Sequence, residues 1–598
     1  MSAQLPVTKT NGPLDSRSVR EKSAAKSETE RLARERRAQA RSLLISLASD
    51  ALSFRDQPLR SRCLARIADA LFEVDPEQGR TLFRKAWEAA ETADRDSEDN
   101  IRLRDKVLEL AARRDHLLAE ELLQKLKAGQ KETTAENSRT NSWALAEASE
   151  KRLSLARSLL STGEVADALR FADPVLGSVT ISTMEFLTLL REQDAAAADR
   201  RYAAALVATS GNMTANANTI ALLSSYIFTP HLYVTFDTAG GAEWSSAPSS
   251  YSQPVIIDPQ LRLAFFQTAA TILMRPLPEQ DSSSSGTVGK YMVVRRLMPL
   301  FEQYAPKEIT VAMRGQLEIL SSLAPQDLHD TENEGLQKGL RPEKQQIADQ
   351  EHSLLDQIDH AKTSAERDQL YFKLALLALK KDDLGARDYV SKIDETWFRK
   401  GAQAWVDWGL AFNAIGKKKV EVSLELSNGG QLTHIQRVWI LTQSAKLLAR
   451  TDPDRASSLL NEAAAEVGRI AGSDLDRPRG CLAVANALNT VEPTRVWDAT
   501  YEAIRATNSS DGFTGEDGAI ALSVNSAGQI AMRRDANPDF DIAGIFAKLA
   551  ALDYERAVQL ARGFQGEAPR ANATIAISRS VLEEKGLGRR VRSSTTSE

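Results

Sequence analysis

Apolar residues recur at intervals of three and four along most of this chain, the spacing that places them on one face of an α-helix. The clearest stretch is 60–86. Leu64, Ala68 and Leu71 mark one stripe, Leu82 and Ala86 mark a second, and Asp75-Pro76 stands between them. Asp in such a position caps the following helix by accepting hydrogen bonds from its free amides, and Pro at the first helical position lacks an amide that would go unpaired anyway. The pattern predicts a helix, a short turn and a second helix.

Laid over 437–463 without a gap, this stretch matches Arg60 with Arg437, Leu64 with Leu441, Ala68 with Ala445 and Leu71 with Leu448. Asp75-Pro76 then matches Asp452-Pro453, Leu82 matches Leu459 and Ala86 matches Ala463. Weaker copies run from Leu110-Ala111 through Asp115 to Ala119 and Leu122, from Leu159 to Ala168, and from Leu379 to Ala386 around Asp382-Asp383. Others run from Thr490-Val491-Glu492-Pro493 to Ala499 and Ala503, and from Leu549 to Leu560 around Asp553. A period of about 35 to 40 residues suits stacked helical hairpins, because each buries its apolar face only against its neighbours. The expected fold is all-α: an α/α superhelix, or solenoid, of repeated antiparallel hairpins in one or two arrays.

These segments resemble the tetratricopeptide-like α-solenoids over 60–130, 143–210, 365–508 and 540–585. The resemblance implies a superhelix of hairpins and a protein or peptide partner. The family's Trp, Leu-Gly, Tyr, Ala, Phe and late Pro at a strict interval of about 34 are not met, so no binding residue carries over.

The expected organisation is a disordered leader over 1–28, a helical-repeat array over 29–229 and a loop-rich insertion with one or two helices over 230–300. A helix and polar linker over 301–344, a second array over 345–586 and a disordered tail over 587–598 complete it. Within the insertion, Leu232–Phe236 reads as a short strand, 237–254 as a long loop, Pro259–Met274 as an apolar helix and 278–289 as a flexible tether. Pro325 to Lys344, with Gly335, Gly339 and Pro342, reads as the linker between arrays.

Composition agrees with a helical chain. Gly and Pro, 31 and 20 of 598 residues, fall below the roughly 12% usual in globular proteins, so turns are widely spaced. A net charge of −5 gives no basic excess for nucleic acid. No run of about 18 apolar residues suits a membrane span and no secretory signal is visible, so the expected location is cytoplasmic. The two cysteines, Cys63 and Cys481, sit among small and apolar residues and read as buried in repeat helices.

Few residues suggest chemistry. Gly286-Thr287-Val288-Gly289-Lys290 approaches a phosphate-binding loop, but Ser284 replaces its first glycine and Tyr291 its magnesium-binding hydroxyl, so a flexible loop is expected. His352, Asp356 and His360 share a helix face, yet span about 12 Å, too far for one metal ion. Asn508 to Gly518 has the acids and glycines of a calcium loop without its final glutamate. Arg31, Arg34, Arg36, Arg37 and Arg41 are diluted by Glu28, Glu30 and Glu35 and read as a solvated face. Trp397, Trp405 and Trp408, with Phe398 and Phe412, form the densest aromatic cluster and are the candidate partner-binding residues. No catalytic, cofactor-binding or metal residue is assigned and no cofactor is expected. The leading expectation is a scaffold or adaptor binding a protein or peptide in a solenoid groove. An enzyme with a pocket near 230–300 and a purely structural spacer are the alternatives.

Overall fold

The computed structural model describes residues 15–94, 101–129, 147–246, 257–276, 286–330, 334–340, 343–516, 518–526 and 529–593. The chain opens with helices α1 (Asp15–Leu52), α2 (Gln57–Leu71) and α3 (Pro76–Asp94). Next come α4 (Ile101–Arg114), α5 (His116–Gly129), α6 (Glu147–Ser161), α7 (Val165–Ala172), α8 (Ile181–Gln193) and α9 (Ala195–Gly211). Then α10 (Ala217–Phe228), strands β1 (Leu232–Phe236) and β2 (Ala242–Ser246), α11 (Pro259–Leu273), α12 (Gly286–Tyr304) and α13 (Lys307–Leu323) follow. The short helices α14 (Asp327–Asp330) and α15 (Glu334–Gln337) precede α16 (Glu343–His360). The remainder begins with α17 (Ser364–Lys380), α18 (Ala386–Ser391), α19 (Thr396–Gly416), α20 (Val420–Gly429), α21 (His434–Leu448) and α22 (Pro453–Gly468). It ends with α23 (Asp476–Val491), α24 (Val496–Asn508), strands β3 (Ala519–Ser526) and β4 (Gln529–Ala536), α25 (Ile542–Leu552), α26 (Tyr554–Ala561) and α27 (Glu567–Ser593). The fold is all-α, and the four strands among the described residues make two small antiparallel hairpins. Among the described residues no helix is long and apolar enough to cross a membrane.

One local device makes five of the helix-to-helix turns among the described residues. At Asp75, Asp115, Asp194, Asp452 and Asp553 the backbone amide donates to the carbonyl four residues back, closing the first helix. The Asp side chain accepts from the amide three residues on, at 2.9–3.2 Å, opening the second. Its carbonyl then receives the amide of Gly79, Ala119, Ala198, Ala456 or Ala557 respectively. All five of these small residues are buried. A Cβ on Gly79 would lie 2.7 Å from Phe72 Cδ2, which shows how closely the two helices approach there.

The chain divides into two compact units, Met1–Leu103 with Leu354–Glu598, and Arg104–Ser353. In the first, the hairpins α17/α18, α19/α20, α21/α22, α23/α24 and α25/α26 stack in order, each first helix against the next. The following hairpin is split: α27 is its first helix and α1 its second. The hairpin α2/α3 then stacks on α27. Stretches 60–86 and 437–463 are thus two repeats of one stack, which differs from the expected pair of N- and C-terminal arrays. The physical reason is the face of α2 that meets α27. Arg66 Nη1 donates to Glu516 at 2.5 Å and to Asn572 Oδ1 at 2.6 Å. Arg62 pairs with Glu516 at 3.1 Å, and Arg579 pairs with Asp69 at 3.1 Å. Cys63 lies buried beside this network, its thiol pushed up to about 12 mainly by burial.

In the second unit α6/α7, α8/α9, α10/α11 and α12/α13 stack in order. Strand β1 packs on α10 and α12, and α15 packs on α12 and β2. The stretch 230–300 therefore supplies helices to two hairpins rather than standing apart. Gly286 to Lys290, expected in a flexible loop, is the first turn of α12, and the buried Lys290 donates to the Arg275 carbonyl at 2.8 Å. The expected linker is docked too. Arg295 donates to the carbonyls of Leu328 and His329, ending α14. Arg296, buried, donates to those of Gly335, Leu336 and Lys338, ending α15. Gly339 has φ +77°, and a Cβ there would collide with Leu232 and Thr229.

The expected leader and tail are corrected in part: α1 begins at Asp15 and α27 runs to Ser593, each continuing a helix whose other half is packed. Residues 1–14 and 594–598 lie outside the described residues, as do 247–256 and 277–285 of the expected loop and tether.

Candidate functional site

On the face made by the first helices of the first unit lies the chain's own β3–β4 hairpin. Strand β3 packs on α19. Trp408 Nε1 donates to Asp535 at 2.6 Å, and Arg533 donates to the same carboxylate at 2.7 Å while its guanidinium lies 5.4 Å from the Phe412 ring centre. A Cβ on Gly409 would lie 2.7 Å from Leu379 and 2.8 Å from Arg533, so glycine is what admits the hairpin here. Beyond β4, Asp539 accepts from Gln443 at 2.7 Å and from Lys446, and Asn486 Nδ2 donates to its carbonyl at 3.0 Å.

This arrangement places the aromatic candidates. Trp405 and Trp408, 8% and 1% exposed, lie in the core, Trp408 edge-on to Trp439 at 5.0 Å. Only Trp397, 63% exposed, reaches the surface. Helical spacing put all three on one chain segment, but the hairpin and α21 cover Trp408, and Trp405 packs edge-on against Phe372 of α17.

The open site lies on the opposite layer. Successive second helices make no contact as extensive as those between first helices, so clefts open between them, about 370 Å³ between α1 and α26 and about 770 Å³ between α22 and α24. Val467, Cys481, Val484, Leu488 and Ala499 floor the larger cleft. Arg477, Arg495, Asp498, Tyr501, Glu502 and Arg505 rim it. Arg477 donates to the Ile470 carbonyl at 3.0 Å, Arg495 to Glu492 and Asn461 at 3.1 Å each, and Arg505 to Glu502 at 3.1 Å. Burial pushes the Cys481 thiol up to about 11. It is protonated at neutral pH and is a small apolar floor group, not a nucleophile. The cleft can bury apolar side chains beneath a charged rim.

Beside it, the buried Glu466 is ringed by His434 at 2.7 Å, Arg437 at 3.4 Å and Arg469. Burial is the largest single influence and opposes ionisation, but the three neighbours together hold the carboxyl below its usual 4.5. A carboxyl lowered in the folded state stabilises above its unfolded value and loses that contribution as pH falls through the folded one. Acidification below about pH 4.5 should therefore cost wild type more melting temperature than Glu466→Gln, measured by thermal unfolding across pH.

The remaining candidates are structural in position. His352, Asp356 and His360 are exposed on α16, and His360 Nδ1 contacts the Asp356 carbonyl at 2.8 Å. In the stretch compared with a calcium loop, Glu516 binds Arg62 and Arg66 and the Thr514 carbonyl accepts from Asn572; Asp517 lies outside the described residues. Arg31 pairs with Glu28 and Glu35, and Arg41 with Asp75.

No family model matches the chain, and no curated protein matches it. Among solved structures, the chain is similar to a circular tandem repeat protein with novel repeat topology and enhanced subunit contact surfaces. The two are 13% identical, the match covers 94% of this chain and 100% of the other, and the TM-score is 0.11. At that score the backbones do not superpose, so the fold rests on the helix contacts themselves.

Proposed function

We propose that this chain is a non-enzymatic adaptor, a divergent tetratricopeptide-like solenoid that receives an amphipathic helix of a partner protein in the cleft between α22 and α24. One observation carries the reading. The first-helix face is occupied by the chain's own hairpin, while the cleft of about 770 Å³ keeps an apolar floor open under a charged rim. α22 and α24, about 24 and 20 Å long, wall the cleft and suit a helix, whose apolar residues at i, i+3 and i+4 meet the floor. Its charged flanks would meet Arg477, Arg495 and Glu502.

A displayed library of amphipathic helical peptides tests this, selected on wild type and counter-selected on Ala499→Trp, which fills the cleft. Cys481 is a built-in reporter: iodoacetamide should label it slowly because little thiolate is present, and a selected peptide should slow it further. Peptides bound equally by Ala499→Trp, or leaving Cys481 labelling unchanged, would refute the cleft as the binding site.

A further inference from the structure

The stack of the second unit ends at α12/α13, and its two helices end differently. α12 is covered by α15 and β1, held by Arg296. α13 packs on α12 and α11 and leaves a bare apolar line: Val311, Ile319 and Leu323 are 67%, 58% and 57% exposed. With Gly315 these residues sit four apart over twelve positions, a stripe about 18 Å long. A Cβ on Gly315 would meet nothing within 4 Å, so this helix-weakening glycine has no packing reason among the described residues. Repeat stacks normally end in a polar face. This one does not.

We propose that α13 is a self-association surface, on which a second copy of this chain lays its own α13 antiparallel about a two-fold axis near Leu317. The stripe is symmetric about that point: Val311 faces Leu323 of the other copy and Gly315 faces Ile319, so each glycine receives an isoleucine of the partner. The charges beside it are self-complementary. Arg314 and Glu318 lie on one flank, and inversion of direction brings each opposite the other type. Arg314 now bonds Glu302 at 2.6 Å in an exposed pair that solvent already weakens, so it is free to exchange. A single helix pair buries less than the roughly 800 Å² per partner of a stable complex, so association falls in the micromolar range.

Sedimentation equilibrium of the full chain at roughly 1–100 µM tests this, a range set by that expected affinity. The expected result is a concentration-dependent monomer–dimer equilibrium, abolished over this range by Ile319→Arg. Glu318→Arg, which places an arginine opposite each Arg314, should weaken it about tenfold, and Arg314→Glu with Glu318→Arg should restore it to within about threefold. All these positions are exposed, so helical content by circular dichroism should not change; if Ile319→Arg misfolds, the charge-swap series is the readout. A monomer at every concentration, a dimer indifferent to Ile319→Arg, or no recovery in the double swap would overturn the assignment.

Discussion

Trp408→Ala is expected to lower the stability of the first unit by about 3–5 kcal/mol, while Trp397→Ala on the same helix changes it by no more than about 0.5 kcal/mol. The two differ because one indole is fully enclosed and the other is mostly in water. Removing Trp408 leaves a cavity against Phe412 and Trp439 and deprives Asp535 of its indole donor. Trp408→Phe separates these effects: it keeps much of the apolar volume and should cost less, with the lost hydrogen bond accounting for about 1–3 kcal/mol. Urea unfolding measures all three. An equal loss in Trp397→Ala and Trp408→Ala would mean that α19 does not present these faces.

Arg296→Met should release 334–340 from α12. The guanidinium ends a short helix with three carbonyl bonds, and burial alone lowers its proton affinity to about 10, which still leaves it charged at neutral pH. Methionine fills similar space and offers no donor. Each carbonyl left unsatisfied costs about 1–3 kcal/mol until the segment opens to water, so amide exchange over 334–340 should quicken by about thirtyfold or more. Unchanged exchange there would show that β2 and Lys338 over Trp244 hold the segment unaided.

The helical hairpins were legible because their turn is a short-range device. Asp75-Pro76 and Asp452-Pro453 could be seen at once, and Asp115 and Asp553 by analogy. Asp194 was not, although the fuller signature of an apolar residue, Asp, and Ala or Gly at steps of four is present in Leu190, Asp194 and Ala198. Stacking order was hidden, since nothing local in 567–593 states that it pairs with α1. The β3–β4 hairpin left a readable trace in the alternation of Ile520, Leu522 and Val524, but it interrupts an otherwise helical period. It helps enclose Trp408, while the open cleft lies at Cys481, which drew attention only as a buried residue.

The split hairpin bears on how the protein is made. α3 ends at Asp94 and α27 begins at Glu567. At about 5–20 residues per second, a ribosome needs roughly 24–95 s to cover that distance. Throughout that interval α1 and α2 present an oily flank with no α27 to cover it, and for most of it Arg62 and Arg66 also lack Glu516. Nascent chains should therefore depend on holding factors until the last helix emerges and locks the stack.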